Sequence, residues 1–195
     1  MVTGRWSWLG RPAAVLVRFV RARDGVSAVE FALILPLMLV IYAGGAELTT
    51  ALSLDRKVSR AASTISDLVA QQTSISATQM TGIFDATQAI LEPFDDSVAK
   101  VVVVVVNVTS SGQKVAWSRA RNDTAATAGN APPAAFVVSK DIASAGDQVV
   151  VGRVTYSYTS PFTGVLKSIT GSGAYNLKHI FFLKPRQGTT ITFSG

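Results

Sequence analysis

The spacing of hydrophobic residues predicts helices in the first half of the chain. Residues 26–46 are apolar except for one charged side chain, Glu30. As a helix this run is roughly 31 Å long, which matches the hydrocarbon core of a bilayer. Hydrophobic residues then recur at three- and four-residue steps to about Gln72, which predicts that the same helix continues as an amphipathic one. An S-x-x-Q capping pattern starting at Ser76 predicts a second, short helix over 77–91.

From residue 98 onward the pattern is that of β-strands. Residues 101–106 are all valine, and a run that is apolar on both sides predicts a central strand covered on two faces. Tyr156 and Tyr158 alternate with polar residues, which predicts one dry and one wet face. Further strands are predicted at 114–119, 136–139, 148–159 and 174–184, with a terminal edge strand at 189–193. Helices followed by strands predict an α+β fold with an antiparallel sheet.

The distribution of charge predicts the topology. Residues 1–25 hold five arginines and one aspartate, which accounts for +4 of the net charge of +6. A basic segment before an apolar run favours a cytoplasmic N-terminus, with everything after the run on the far side of the membrane. We therefore expect a basic cytoplasmic leader (1–25), a transmembrane segment (26–46), a periplasmic helical region (47–97) and a periplasmic β-rich domain (98–195).

Composition argues against catalysis and against nucleic-acid binding. The chain has no cysteine, so disulfides and thiol nucleophiles are excluded. No basic stripe with interleaved aromatic residues indicates a nucleic-acid partner. His179 is the one histidine, lies in a strand pattern without metal-ligand spacing, and is expected to be structural. We expect no enzyme activity, no cofactor, no metal and no small-molecule substrate, because no nucleophile, base and orienting group can be assembled.

Two residues in the apolar run have functional implications. Glu30 is a carboxylate at the edge of a membrane span, where a charge costs free energy and so suggests a function. Pro36 removes one backbone hydrogen bond of the helix, which predicts a kink near residues 32–36.

The segment Arg-Asp-Gly-Val-Ser-Ala-Val-Glu-Phe-Ala-Leu-Ile-Leu-Pro at residues 23–36 resembles the opening of the TadE/TadG family, the pseudopilin-like proteins of Tad (Flp, type IVc) pilus systems. Residues 58–71 are also similar to that family. The resemblance implies that a prepilin peptidase cuts between Gly25 and Val26. It implies that Glu30, then the fifth residue, acts in assembly, and that Phe31, where major pilins usually carry tyrosine, marks a minor subunit.

By that resemblance the partners are the lipid bilayer, other pilin-like subunits, the Tad pilus platform and the peptidase, at the bacterial inner membrane. Three alternatives stay open. An unprocessed anchor would keep its leader, with Glu30 reaching toward the headgroups, and would act as a periplasmic scaffold or binding protein. A secretory cleavage after Ala46, in the small-residue run 44–46, would release a soluble domain. An anchored hydrolase is the third alternative.

Overall fold

The computed structural model describes residues 24–163, 167 and 174–195. Most of the predicted basic leader therefore lies outside the described residues. The chain divides into two compact units, Met1–Ala46 and Glu47–Gly195.

The first helix, α1, runs over Asp24–Ala70 and contains Pro36 without being interrupted there. It begins two residues before the predicted start and ends two residues before the predicted end. In the described part of the chain, α1 is the one helix long and apolar enough to cross a membrane, and its apolar window is 0% buried. The kink at Pro36 stays a prediction.

Besides the end of α1, the described residues of the second unit form the following helix and strands. They are β1 (Ser74–Ser76), α2 (Ala77–Leu91), β2 (Ala99–Thr109), β3 (Gly112–Arg121), β4 (Gln148–Thr159), β5 (Ala174–Leu183) and β6 (Thr192–Ser194). Four strands form an antiparallel sheet in the order β3-β2-β4-β5, and β1 pairs with β6 in parallel. The predicted α+β class is confirmed.

Local signals set the limits of α2. The Ser76 hydroxyl accepts a hydrogen bond from the Gln79 N–H at 3.2 Å, and the Gln79 side chain accepts one from the Ser76 N–H at 2.8 Å. This is the predicted capping box, which satisfies two backbone donors at the start of the helix. At the other end, the Lys57 ammonium donates to the carbonyl oxygens of Ile90 (3.3 Å) and Glu92 (2.7 Å). A cation there satisfies carbonyls and complements the helix dipole.

The sheet is covered on both faces. The C-terminal part of α1 and helix α2 pack on one face, and the loop of residues 122–147 covers much of the other. Each valine of 101–106 is at most 3% exposed, because β2 lies between β3 and β4 and alternates its side chains between the two layers. The predicted central strand is confirmed. Tyr156 and Tyr158 both face the helices and are buried, as predicted, whereas Ser157 is exposed.

Helix α1 crosses β4 at a glycine. A Cβ atom built on Gly152 would lie 2.1 Å from the Ser66 hydroxyl oxygen and 3.2 Å from Ile65 Cγ2. Ser66 is fully buried and donates to the Ala62 carbonyl at 2.8 Å. The absence of a side chain at Gly152 therefore sets how closely the helix approaches the sheet.

The predicted strand at 136–139 is wrong. Residues Ala134–Phe136 form a single 3-10 turn, and residues 137–139 belong to no strand. Phe136 and Val138 are buried because this loop lies across the valines of the sheet. The side chain of Gln113 satisfies the backbone of Val138, donating to its carbonyl at 2.6 Å and accepting from its N–H at 2.8 Å. A side chain thus replaces the strand partner.

The segment after Leu183 returns to the helices. The Arg186 N–H donates to the Ala70 carbonyl at 2.7 Å, and β6 pairs with β1. Ile191 is 1% exposed, and its carbonyl accepts the Trp117 indole N–H at 2.9 Å. The predicted terminal strand is therefore present over Thr192–Ser194, but it pairs with β1 and not with the edge of the four-stranded sheet.

Candidate functional site: the N-terminal helix

The residues singled out by the sequence lie in the first turns of α1. Gly25 and Val26 are part of the continuous helical backbone that starts at Asp24. Val26 is 57% exposed, Phe31 is 60% exposed, and Glu30 is exposed as well. These side chains are therefore available to lipid or to another protein.

Helical spacing places residue 26 and the carboxylate close to each other. Glu30 is four positions after Val26, which corresponds to about one turn of the helix and a rise of roughly 6 Å. Side chains four apart lie on the same face of a helix. A free amine created at Val26 would therefore emerge on the Glu30 face. The arrangement can pair one positive and one negative charge at the end of an apolar helix, within one subunit or between two.

Gly44 and Gly45 lie further along the same unit and face open space. A Cβ atom at either position would meet no atom within 4 Å. The helix passes through both residues without a break, so the structure supplies a smooth, small-residue surface at this level. Such a surface allows close approach of a second helix.

Sequence reasoning missed a buried carboxylate in the second unit. Glu47 is only 6% exposed, and its Oε1 atom has no hydrogen-bond partner within the described fold. The Tyr158 hydroxyl lies near the Glu47 carboxylate, and the Tyr158 ring stacks on Tyr175 with centroids 6.4 Å apart. Burial, followed by this contact with Glu47, raises the pKa of Tyr158 to about 12. No sequence pattern joined these residues, because the contact forms only when β4 packs on α1.

The raised pKa of Tyr158 predicts alkaline sensitivity. The folded chain holds the phenolic proton more tightly than the unfolded chain, whose tyrosine titrates near 10. This contribution to stability is complete below pH 10 and is lost as the pH rises through about 12. In a phenolate absorbance titration, Glu47→Gln should lower the pKa of Tyr158. The pKa should still lie above that of free tyrosine, because burial is the largest cause of its increase. Tyr158→Phe serves as control and removes that step; an unchanged titration of Glu47→Gln would contradict the contact.

His179 contacts a carboxylate of α1, and its structural role stays a prediction. Its Nε2 atom lies 2.8 Å from Asp55 Oδ1, so the pair joins the edge strand β5 to helix α1. Within residues 24–163, 167 and 174–195, no group of three or more histidine, aspartate or glutamate side chains is placed to hold a metal ion.

Comparison with known proteins concerns the same helix. Residues 25–66 match the model of a family described as TadE-like protein. A search of curated proteins and a search of solved structures gave no match to the chain. The matched segment starts at the glycine of the predicted cleavage site and ends within the part of α1 that packs on the sheet. The match confirms the resemblance drawn from residues 23–36, and over residues 25–66 the chain is similar to TadE-like proteins.

Proposed function

We propose that the chain is a membrane-anchored minor pilin or pseudopilin-like structural subunit in Tad (Flp) pilus assembly. The TadE-like match indicates involvement in a Tad pilus system, and the apolar N-terminal helix fits a single-pass membrane anchor. The observation that carries the proposal is the exposed apolar surface of α1, which starts at Val26, directly after Gly25, and holds the carboxylate of Glu30. The role is structural and not enzymatic.

The chemistry of the helix end supports a role in assembly. Burying Glu30 alone in an apolar bundle is costly, and pairing it with a cation offsets much of that cost. Cleavage after Gly25 would supply such a cation as the α-amine of Val26, on the same subunit or on a neighbour. It would also remove the arginine-rich leader that holds the N-terminus in the cytoplasm. A prepilin peptidase would therefore activate the subunit by adding one charge and removing several.

Before assembly, the subunit would reside in the inner membrane, with its N-terminus in the cytoplasm and its second unit in the periplasm. The pilus platform and other pilin-like subunits then engage the exposed face of α1. The small residues Gly44 and Gly45 would let a neighbouring helix approach closely. The outer surface of the second unit would then face partner subunits.

The mature N-terminus tests this proposal against its alternative. We expect intact mass and N-terminal sequencing of protein extracted from membranes to show a chain that begins at Val26. A chain that begins at Met1 would favour the alternative, a permanently anchored, unprocessed periplasmic scaffold or binding protein that does not enter a filament. A start at Glu47 would indicate secretory cleavage. Gly25→Leu provides the control, since a bulky residue should block a peptidase that requires glycine and restore the longer mass.

A further inference from the structure

A cavity opens at one end of the four-stranded sheet, on the face against which the helices pack. Its volume is about 470 Å³, and its described lining belongs entirely to the second unit. Asn107 near the end of β2, Gln148 at the start of β4, Trp117 of β3 and the C-terminal residues 190–193 surround it. Small-molecule sites in proteins are roughly 300–1,000 Å³ in volume, so the cavity is large enough to hold a ligand.

Two side-chain amides in the cavity are oriented by their hydrogen bonds. The Gln148 Oε1 atom accepts the Ile191 N–H at 2.5 Å, so its Nε2 atom donates to Asn107 Oδ1, at 2.8 Å. The Asn107 oxygen is therefore turned toward Gln148 and its Nδ2 group is turned away. Among the described residues, Nδ2 has no hydrogen-bond acceptor. Asn107 consequently offers two N–H donors to a ligand in the cavity.

Two aromatic rings lie beside these amides and are held in place by their neighbours. The Trp117 indole N–H donates to the Ile191 carbonyl at 2.9 Å, so Trp117 offers only its carbon surface to the cavity. The rings of Trp117 and Phe193 have centroids 5.4 Å apart. The Arg119 guanidinium lies 3.7 Å from the centroid of the Phe193 ring and fixes it further. The rings are therefore positioned before any ligand binds.

The chemistry of the lining selects an uncharged ligand. Among the described residues that line the cavity, none has an ionisable side chain. A charged ligand would lose part of its hydration there without gaining an opposite charge. The polar groups at the opening are the Asn107 amide and the exposed hydroxyls of Thr190 and Thr192, which suit hydroxyl groups as partners. The negative faces of aromatic rings attract polarised C–H groups. A sugar combines hydroxyl groups with such a C–H surface.

We propose that this cavity binds an uncharged carbohydrate. Asn107 and Thr190 hydrogen-bond to its hydroxyl groups, and the rings of Trp117 and Phe193 contact the C–H face of a sugar ring. The cavity is open at the surface, so the ligand is a short oligosaccharide or one end of a longer glycan. The inference goes beyond the proposed function and does not depend on it, because every residue of the site lies in the second unit.

Trp117 reports directly on binding. The other two tryptophans, Trp6 and Trp8, lie in the leader, so the variant with Trp6→Phe and Trp8→Phe leaves Trp117 as the one indole of the full chain. This protein is placed in nanodiscs, without sugar-bearing detergent, and titrated with tetrasaccharides of glucose, galactose or N-acetylglucosamine. Tetra-alanine serves as an uncharged peptide of comparable length. We expect at least one tetrasaccharide to change the Trp117 emission in a saturable way and tetra-alanine to leave it unchanged.

Two neighbouring threonines provide a matched pair of variants. Thr190→Val removes a hydroxyl group of the lining at nearly constant size and should weaken binding at least about threefold. Thr189→Val makes the same change at an exposed position outside the lining and should bind as the parent does. Asn107→Ala removes the amide donors and should weaken binding at least about tenfold, with near-ultraviolet circular dichroism as the check of its fold.

Three results would overturn the inference. The first is no saturable change of Trp117 emission with any of the tetrasaccharides. The second is an equal response to tetra-alanine, which would assign the cavity to a peptide. The third is unaltered saccharide affinity in both Thr190→Val and Asn107→Ala, which would place the bound sugar elsewhere on the chain.

Discussion

Replacing Gly152 by alanine is expected to destabilise the folded unit by about 1–3 kcal/mol, the usual cost of overpacking a tight interface. The new methyl group would lie 2.1 Å from the Ser66 oxygen and 3.2 Å from Ile65 Cγ2. The hydroxyl can rotate away only by giving up its hydrogen bond to the Ala62 carbonyl, in a position that is fully buried. Helix and sheet must therefore separate, and the loss should be visible in denaturant unfolding of the full chain followed by circular dichroism.

Two further variants make this result specific. Gly82→Ala is the matched control, because its methyl group meets no atom within 4 Å and lies within helix α2, where alanine is favoured by about 0.5–1 kcal/mol. Ser66→Ala combined with Gly152→Ala removes the closest overlap and should recover part of the loss, which gives a coupling energy of about 1 kcal/mol. Additive effects of the two substitutions would show that the helix does not cross the strand at this glycine.

Glu30→Gln is expected to reduce pilus assembly at least about tenfold, which corresponds to ~1.4 kcal/mol for each subunit incorporated. The amide keeps the size of the side chain but carries no charge to pair with an α-amine, so the amine is left without its partner in an apolar bundle. Membrane insertion should be unaffected, since removing a charge makes the apolar run more hydrophobic. Pili are counted in a host that lacks its own copy of the protein, and insertion is measured by membrane fractionation.

Glu92→Gln is the matched control for this variant. Glu92 is exposed, follows the C-terminus of α2 and lies outside the TadE-like segment. Its substitution therefore removes the same charge without changing the N-terminal end of α1. Normal piliation of Glu30→Gln, with the variant present in membranes at the level of the control, would remove Glu30 from the assembly mechanism.

Elements with a strong local signal were predictable from the sequence. The capping box at Ser76 sets the start of α2, and the predicted range 77–91 is the observed one. The valine run predicted a strand covered on both faces because only a central strand buries both sides of its chain. Strand β4 was predicted with its observed bounds for a similar reason: turn-forming residues flank a β-branched and aromatic stretch.

The errors and omissions come from contacts between distant residues. β1 has three residues, too few for a periodic signal, and its pairing with β6 joins Thr73 and Thr192, which are 119 residues apart. The alternation at Phe136 and Val138 is that of a strand, but it arises from a loop lying on the sheet. For the candidate site, the spacing of Gly25 and Glu30 was visible in the sequence. The contact of Glu47 with Tyr158 was not, since it depends on how β4 crosses the helix.

The central position of β2 also determines what happens when the second unit opens. Its six consecutive valines are protected only by β3 and β4 at the two edges and by the helices and the loop on the two faces. Once those neighbours detach, the run is an uncharged, strongly β-forming peptide of the kind that stacks with copies of itself. After heating, the subunit should therefore precipitate instead of refolding on cooling. Its stability is then described by a half-life at a given temperature and not by an unfolding midpoint temperature.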